Sequence, residues 1–372
     1  MKPARLSRCA ILVLGFAVVH APAAAPAATV TVIPGDSIQA AVDAASPGDT
    51  IKVMPGDYTE PHANAAAVRV TKRLKLLAKS KLPDVKVRIL PNPAQPNQKH
   101  GILVEPENDG DPDVDRVKIK GFTVEGFPKN GIWLRHVDNF KIENNESIDN
   151  LENGIFPTLS ANGLVKKNVS YGSLDSGLWV EASENVRVIK NEFHNNPTGL
   201  EITVSRSIVA KNNDIHDNTV GIGLYHPNGA SLPPLGNDGD WEITKNRVYN
   251  NNFPNPVSGG LVGSLPPGIG VLLIGVDRVT LQKNTIEGND LAGVTVADWC
   301  LFNDCVSDPP VVEDKADDNS VISNVVTGNG DGSPDPDFVG LEADILALSA
   351  GVNNCFSGNT IGTSIPGVLP PC

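Results

Sequence analysis

A glycine followed by an aliphatic residue, any residue and a second aliphatic returns along this chain with a period of roughly 22 residues. The clearest instances are Gly131-Ile132-Trp133-Leu134, Gly154-Ile155, Gly177-Leu178-Trp179-Val180, Gly199-Leu200-Glu201-Ile202 and Gly221-Ile222-Gly223-Leu224. Fourteen residues after each of the first four glycines stands an asparagine: Asn145, Asn168, Asn191 and Asn213. A fixed period of this kind specifies a solenoid, in which each repeat packs only on its neighbours, and solenoids present long surfaces to long partners.

With the glycine as position zero, positions one and three are aliphatic while two and four vary, which is strand alternation with one buried face. A second short strand falls near position nine, as in Val186-Arg187-Val188 and Ile208-Val209-Ala210, and a third follows the asparagine. Each coil therefore holds three strands and three turns. The register survives insertions: Asn246, Asn284 and Asn324 continue the position-fourteen column, and counting from Gly340 adds Asn354. A second asparagine column, at position nineteen, is broken only by Ser173. Asparagine suits tight turns because it tolerates left-handed backbone, and its amide can bond the same amide one coil away. Asn145 and Asn168 also sit in glycosylation sequons, but ladder positions are expected to be inaccessible.

Only 5% of residues are aromatic against 40% hydrophobic, so the interior should be aliphatic, and 35 glycines with 30 prolines leave little room for helix. One helix is expected at about residues 36–45, where Asp36 to Ala45 has a capping residue and helical spacing before Pro47-Gly48; it should cover an open end of the stack. Residues 1–28 read as a secretory signal peptide: Lys2, Arg5 and Arg8 precede an apolar run too short to span a bilayer, then an Ala/Pro-rich stretch. The rest, 29–372, is expected to be a single domain with regular ladder coils over about 131–361, secreted or periplasmic, monomeric and without a transmembrane segment. Removing Cys9 with the signal leaves Cys300, Cys305, Cys355 and Cys372, most simply paired Cys300 with Cys305 and Cys355 with Cys372. A net charge of −13 argues against nucleic acid and anionic membrane surfaces as partners.

Ser37-Ile38-Gln39-Ala40-Ala41, Pro47-Gly48-Asp49-Thr50-Ile51 and the asparagine-rich coils together resemble the right-handed parallel β-helix superfamily of pectate lyases, alginate epimerases and many exported repeat proteins. The likeness covers about residues 30–372 and implies an all-β solenoid of about ten coils. It implies no one activity, because this fold carries many functions. The Asp-Pro-His-Asp of alginate epimerases, the Gly-His-Gly of polygalacturonases and a pectate lyase signature are missing. The coils also resemble those of the β-helix accessory protein for copper insertion into nitrous oxide reductase, yet Met54 would be the only methionine left for soft copper.

Insertions at about Glu105–Asp113, Pro227–Asp240, Asn252–Gly268, Asp298–Asp318 and Gly330–Phe338 all flank the glycine-led strand, as the walls of a groove would. Outward side chains on that strand are Trp133, Phe156, Trp179, Glu201, Gly223, Leu272, Thr295 and Glu342 at position two. At position four they are Arg135, Thr158, Glu181, Thr203, Tyr225, Ile274, Ala297 and Asp344. Trp133, Phe156 and Trp179 should form an exposed stack beside Glu181 and Glu201, a combination suited to a sugar chain; the plain alternative is a stabilising stack with solvated glutamates.

The backbones of Glu181 and Glu201 should lie about 8 Å apart by strand geometry, and carboxyls at about 6.5–9.5 Å fit inverting glycoside hydrolysis. With Arg135, His136, Tyr225 and His226 nearby, uronate β-elimination or C5-epimerisation is the competing chemistry: a base takes the proton and a cation steadies the carbanion. His194 and His216 share position seventeen on a different face and should form a solvated ladder rather than a metal site. Asp331, Asp335 and Asp337 in an oxygen-rich loop are a weak calcium candidate without the full EF-hand pattern. The expected function is binding, with processing by lyase, hydrolase or epimerase chemistry, of a polysaccharide along one strand face; a non-catalytic structural or cell-surface binding protein is the alternative.

Overall fold

Each repeat becomes one coil of three short strands, and every coil pairs in parallel with the next. Strands stack into sheets of 12, 11 and 11 members, with a further two-stranded sheet formed by Val114–Asp115 and Val137–Asp138. The computed structural model describes residues 26–62, 64–79, 85–226, 239–302, 305–306, 314–332 and 336–372. Most of the expected signal peptide, most of the Pro227–Asp240 insertion and Asp335 lie outside the described residues. Among the described residues no helix is long and apolar enough to cross a membrane.

The glycine-led strands form one sheet. In it Ser176–Glu181, Thr198–Thr203, Val220–Tyr225, Ile269–Ile274 and Ala292–Ala297 follow one another, with Trp179 opposite Glu201 and Glu201 opposite Gly223. Positions one and three point inward: Leu178, Val180, Leu200, Ile202, Ile222 and Leu224 are fully buried in the axial core. Each such aliphatic contributes about 1.5–3 kcal/mol by leaving water.

The repeated glycine is required by distance. A Cβ at Gly177, Gly199, Gly221 or Gly270 would stand 2.5–2.8 Å from the carbonyl oxygen of the equivalent glycine one coil on. In these coils the strands can approach this closely only because the position carries no side chain.

The asparagine ladder is continuous. Asn168 Nδ2 donates to Asn191 Oδ1 at 3.0 Å, Asn191 to Asn213 at 3.0 Å, and Asn213 to Asn246 at 2.9 Å. Every rung also takes the backbone N–H of the preceding rung and gives its second proton to a carbonyl, as Asn191 does to Val165 O at 3.1 Å. Asn145 and Asn168 are 1% exposed, so both sequons are sealed in the ladder. One part of the expectation is corrected: the left-handed residue is the one before each rung, Asn144, Lys167, Lys190, Asn212 and Lys245, with φ of 53–58°. The rung itself has ordinary backbone and turns its amide inward.

The last coil is also corrected. Asn324 bonds Asn359 and Asn319 bonds Asn354, so Asn359 closes the position-fourteen column. On the glycine-led sheet Thr295 faces Leu346 and Val294 faces Ile345, which puts Asp344 at the glycine position and Leu346 at position two. Gly340 therefore does not start this strand, and Glu342 and Asp344 are not its outward side chains.

Helix Ile38–Ala44 covers one end with Ile38 and Val42 buried, and Ser37 accepts from Ala40 N at 3.0 Å as its cap. The buried Glu60 carboxylate takes the N–H of Ile38 at 2.7 Å, placing negative charge where the helix exposes free donors. The disulfides are Cys300–Cys305 and Cys355–Cys372.

Candidate active site on the glycine-led sheet

The outer face of this sheet is divided in two. From Tyr225 onward it is roofed: Tyr225, Leu272 and Ile274 pack with Leu265, Leu291 and Trp299 into a second hydrophobic cluster outside the coil. Leu265 comes from the Asn252–Gly268 insertion and Trp299 from the one that begins at Asp298, so these insertions lie across the face instead of walling an open groove. Leu272 and Ile274 explain this, because two large aliphatics at outward positions need covering.

The first half carries an aromatic stack. Trp133 and Phe156 rings are 6.1 Å apart and 7° from parallel, and Phe156 and Trp179 are 4.6 Å and 9°. His100 extends the stack at 4.7 Å from Trp133. It was hidden in the sequence because the coil around Gly101 lacks the asparagine ladder. Burial, with the Lys129 charge second, lowers the His100 imidazole to about 4, so it stands neutral in the stack. Trp133 and Trp179 are half-buried and Phe156 is 8% exposed, less open than expected.

Three carboxyls follow. Glu201 occupies position two beyond Trp179 and is 4% exposed, and Glu181, at position four, is 5% exposed. Asp175, half-buried, lies on the turn into the strand Ser176–Glu181. Ser176 Oγ donates to Glu201 Oε2 at 2.5 Å, and Thr158 Oγ1 to Glu181 Oε2 at 3.1 Å. Trp179 Nε1 donates to Thr203 Oγ1 at 2.8 Å, fixing the indole beside Glu201. Positive φ at Ala182 and Val204, 42° and 39°, turns the chain sharply after Glu181 and Thr203. A β-branched residue such as Val204 adopts this only when its surroundings force it.

Burial raises all three carboxyls; the Asp175 charge adds to the rise of Glu181 and Glu201, and the Glu152 charge to that of Asp175. Asp175 is pushed up to about 6 by burial, partly offset by an Asn153 hydrogen bond. Glu181 is raised by burial and by Asp175. Glu201 is raised furthest, by burial first and then by the Asp175 charge, with Glu181 adding to it. Tyr225 folds its ring back over Gly223, where a Cβ would lie 2.2 Å from the phenol oxygen. Burial and then the Glu201 charge hold that phenol well above its usual range. Gly223 at an outward position is thus the space that lets Tyr225 reach the acids.

The remaining candidates stand apart. Arg135 Nη1 is 3.1 Å from Asp109 and 3.9 Å from Glu105, and His136 is 3.7 Å from Asp113, so both face the Glu105–Asp113 insertion. His226 lies at the roofed side, where its backbone N–H donates to Ile274 O at 3.2 Å. Among the described residues no group of three or more His, Cys, Asp or Glu could hold a metal ion. Asp331 lies within electrostatic reach of Asp290; with Asp335 outside the described residues, the set Asp331, Asp335 and Asp337 is not seen complete. His194 and His216 stack at 5.1 Å on another sheet between Tyr171 and Tyr249.

Asp175 and Ser176 were not singled out from the sequence. The signal for Ser176 is one column before the glycine, where Asn130 and Asn153 give way to Ser176, whose hydroxyl bonds Glu201; Asp175 has none.

Residues 87–232 match the family described as right handed beta helix region. The fold is that of the right-handed parallel β-helices. Among solved β-helices, the A-module of Azotobacter vinelandii mannuronan C-5 epimerase AlgE4 superposes with a TM-score of 0.66 at 17% identity, covering 87% of this chain and 82% of that one. DFA-IIIase from Arthrobacter chlorophenolicus A6, in complex with GF2, gives 0.59 at 14% identity over 86% and 78%. The periplasmic alginate epimerase AlgG gives 0.51 at 15% identity over 89% and 83%. At such identities the likeness is one of fold. No curated protein matches the sequence.

Proposed function

We propose that this β-helix binds a polysaccharide along the outer face of the glycine-led sheet and cleaves or rearranges a glycosidic bond there. The carrying observation is the set of three raised carboxyls, Asp175, Glu181 and Glu201, placed where the stack of His100, Trp133, Phe156 and Trp179 ends. Aromatic faces offer platforms for sugar rings, and carboxyls whose environments differ provide an acid and a base at one pH. Glu201, whose proton is held more tightly by burial and by the Asp175 charge, would give it to the leaving oxygen. Glu181, with Asp175 behind it, would act as carboxylate base or nucleophile. Hydrolase or transferase chemistry is favoured over β-elimination and epimerisation because the latter need a cation on the developing carbanion, and Arg135 is engaged by Asp109. The names of the structures sharing the fold, two epimerases of alginate type and DFA-IIIase, support a carbohydrate substrate, and the two disulfides support an exported protein.

The test is a panel of oligo- and polysaccharides assayed for new reducing ends and for unsaturated uronates. Glu201→Gln should lower turnover by ~10²-fold or more with little change in binding, as loss of a general acid does. Appearance of unsaturated products would replace hydrolysis with elimination. Binding without turnover in the wild type would favour the second reading, a non-catalytic binding protein, which the deep burial of Glu201 and Tyr225 also supports.

A further inference from the structure

A charge pattern opposite to that of the whole molecule lies on a different sheet. Lys75, Lys118 and Lys141 stand directly opposite one another on three consecutive coils, in strands Lys75–Ala78, Lys118–Lys120 and Lys141–Glu143. Three ammonium groups thus share one column at a backbone spacing of about 4.8 Å. Like charges placed so across a sheet repel and cost stability. Lys79, Arg116 and Lys120 join them around a concavity of about 830 Å³, with Leu77 and Ala78 between the charges. Two carboxylates relieve part of this: Glu143 takes Lys118 and lies within electrostatic reach of Lys120 and Lys141, and Asp115 takes Arg116 at 3.3 Å. Lys75, Lys120 and Lys141 are exposed and form no ion pair among the described residues. In a chain of net charge −13, a concentration of cations this local is not the average surface.

We propose that this concavity is a second carbohydrate site, which holds an acidic polysaccharide with its charged groups running along the helix axis over the three coils. A linear polyanion repeats its charge along one direction, as the lysine column does, and its sugar rings offer C–H faces to Leu77 and Ala78. A single phosphate would engage only part of the column. A bilayer surface is flat and would not enter a hollow. The site lies on a different sheet from Glu181 and Glu201 and does not depend on their chemistry.

The experiment is calorimetric titration of the full protein with an oligogalacturonate, a neutral oligoglucan, inorganic phosphate and vesicles containing anionic lipid. The wild type should bind the oligogalacturonate with an affinity that falls as salt rises, and should not bind the oligoglucan. Lys75→Glu with Lys141→Glu, both exposed positions, should weaken binding by at least ~10-fold. Lys75→Arg with Lys141→Arg and Trp179→Ala should each retain it, the last separating this site from the aromatic platform beside the acids. An unchanged affinity in the folded charge-reversal variant, or no binding by the wild type, overturns the proposal. Lysine-dependent binding of phosphate or of vesicles in preference to the oligouronate would reassign the hollow and overturn it as well.

Discussion

Asp175, Glu181 and Glu201 show how far the environment of a residue departs from its identity. Their positions on or beside an outward face suggest solvated carboxylates, yet burial raises all three, with a neighbouring carboxylate adding to each. Asp175 offers the cleanest test because its shift runs from 3.8 to about 6. A carboxyl raised in the folded state keeps a proton that the unfolded chain releases, so stability falls as pH rises between those values. The penalty is absent below 3.8 and complete above about 6. Asp175→Asn removes it, so thermal melts should show the variant gaining on the wild type as pH climbs through that window. A pH-independent difference between the two would show that Asp175 is not perturbed. Glu181 and Glu201 were readable as neighbours from the repeat alone. Asp175 was not, because it stands on a turn that carries no periodic signal.

At the level of the strand and turn, two columns hold the coils in register. The asparagine column was readable in full except for its last rung, where counting from Gly340 missed because the insertion of residues 330–338 displaces the strand start to Asp344. The reason for the glycine column came only from the stacked backbones. Gly199 has ordinary backbone torsion, but a Cβ there would meet Gly221 O at 2.7 Å and both Asn218 Nδ2 and Ile215 Cγ2 at 2.8 Å. Gly199→Ala should therefore cost about 1–3 kcal/mol, the range for overpacking, measured as a lower midpoint in guanidinium unfolding. Gly259→Ala, where nothing lies within 4 Å, should be close to neutral. Equal effects of the two would mean that close approach is not why the repeat uses glycine.

For the molecule as a whole, the two ends and the roof matter more than any single coil. The final strand of the 12-stranded sheet, Cys355–Ser357, pairs on one side only, with Ser320–Ile322, and is tied down by Cys355–Cys372 across 17 residues. Replacing both cysteines by serine should cost ~3 kcal/mol and appear first as faster hydrogen exchange in the C-terminal coils. The Cys300–Cys305 pair, half-buried against the roof cluster, closes a separation of only 5, and its removal should loosen the C-terminal coils less. Uniform loosening of the whole solenoid by the first variant would argue against local anchoring.

Period, alternation and the asparagine column were enough for the parallel β-helix and its mainly aliphatic core, because each is a short-range rule repeated in phase. The capping helix and both disulfide pairs came from local signals, while the burial of Phe122, Phe127, Phe140, Phe193 and Trp241 in the core corrects the expectation of a wholly aliphatic interior. The repeat also brought Trp133, Phe156, Trp179, Glu181 and Glu201 together, since register turns sequence spacing into adjacency. Whether that face is open, which acids keep their protons and where the cations go depended on the insertions and on side-chain directions, which obey no period. Leu265 and Trp299 cross from their loops to roof the sheet, Tyr225 fills the space above Gly223, and Arg135 turns to Asp109. Such contacts are made between residues far apart in the chain, and only the folded molecule brings them into reach.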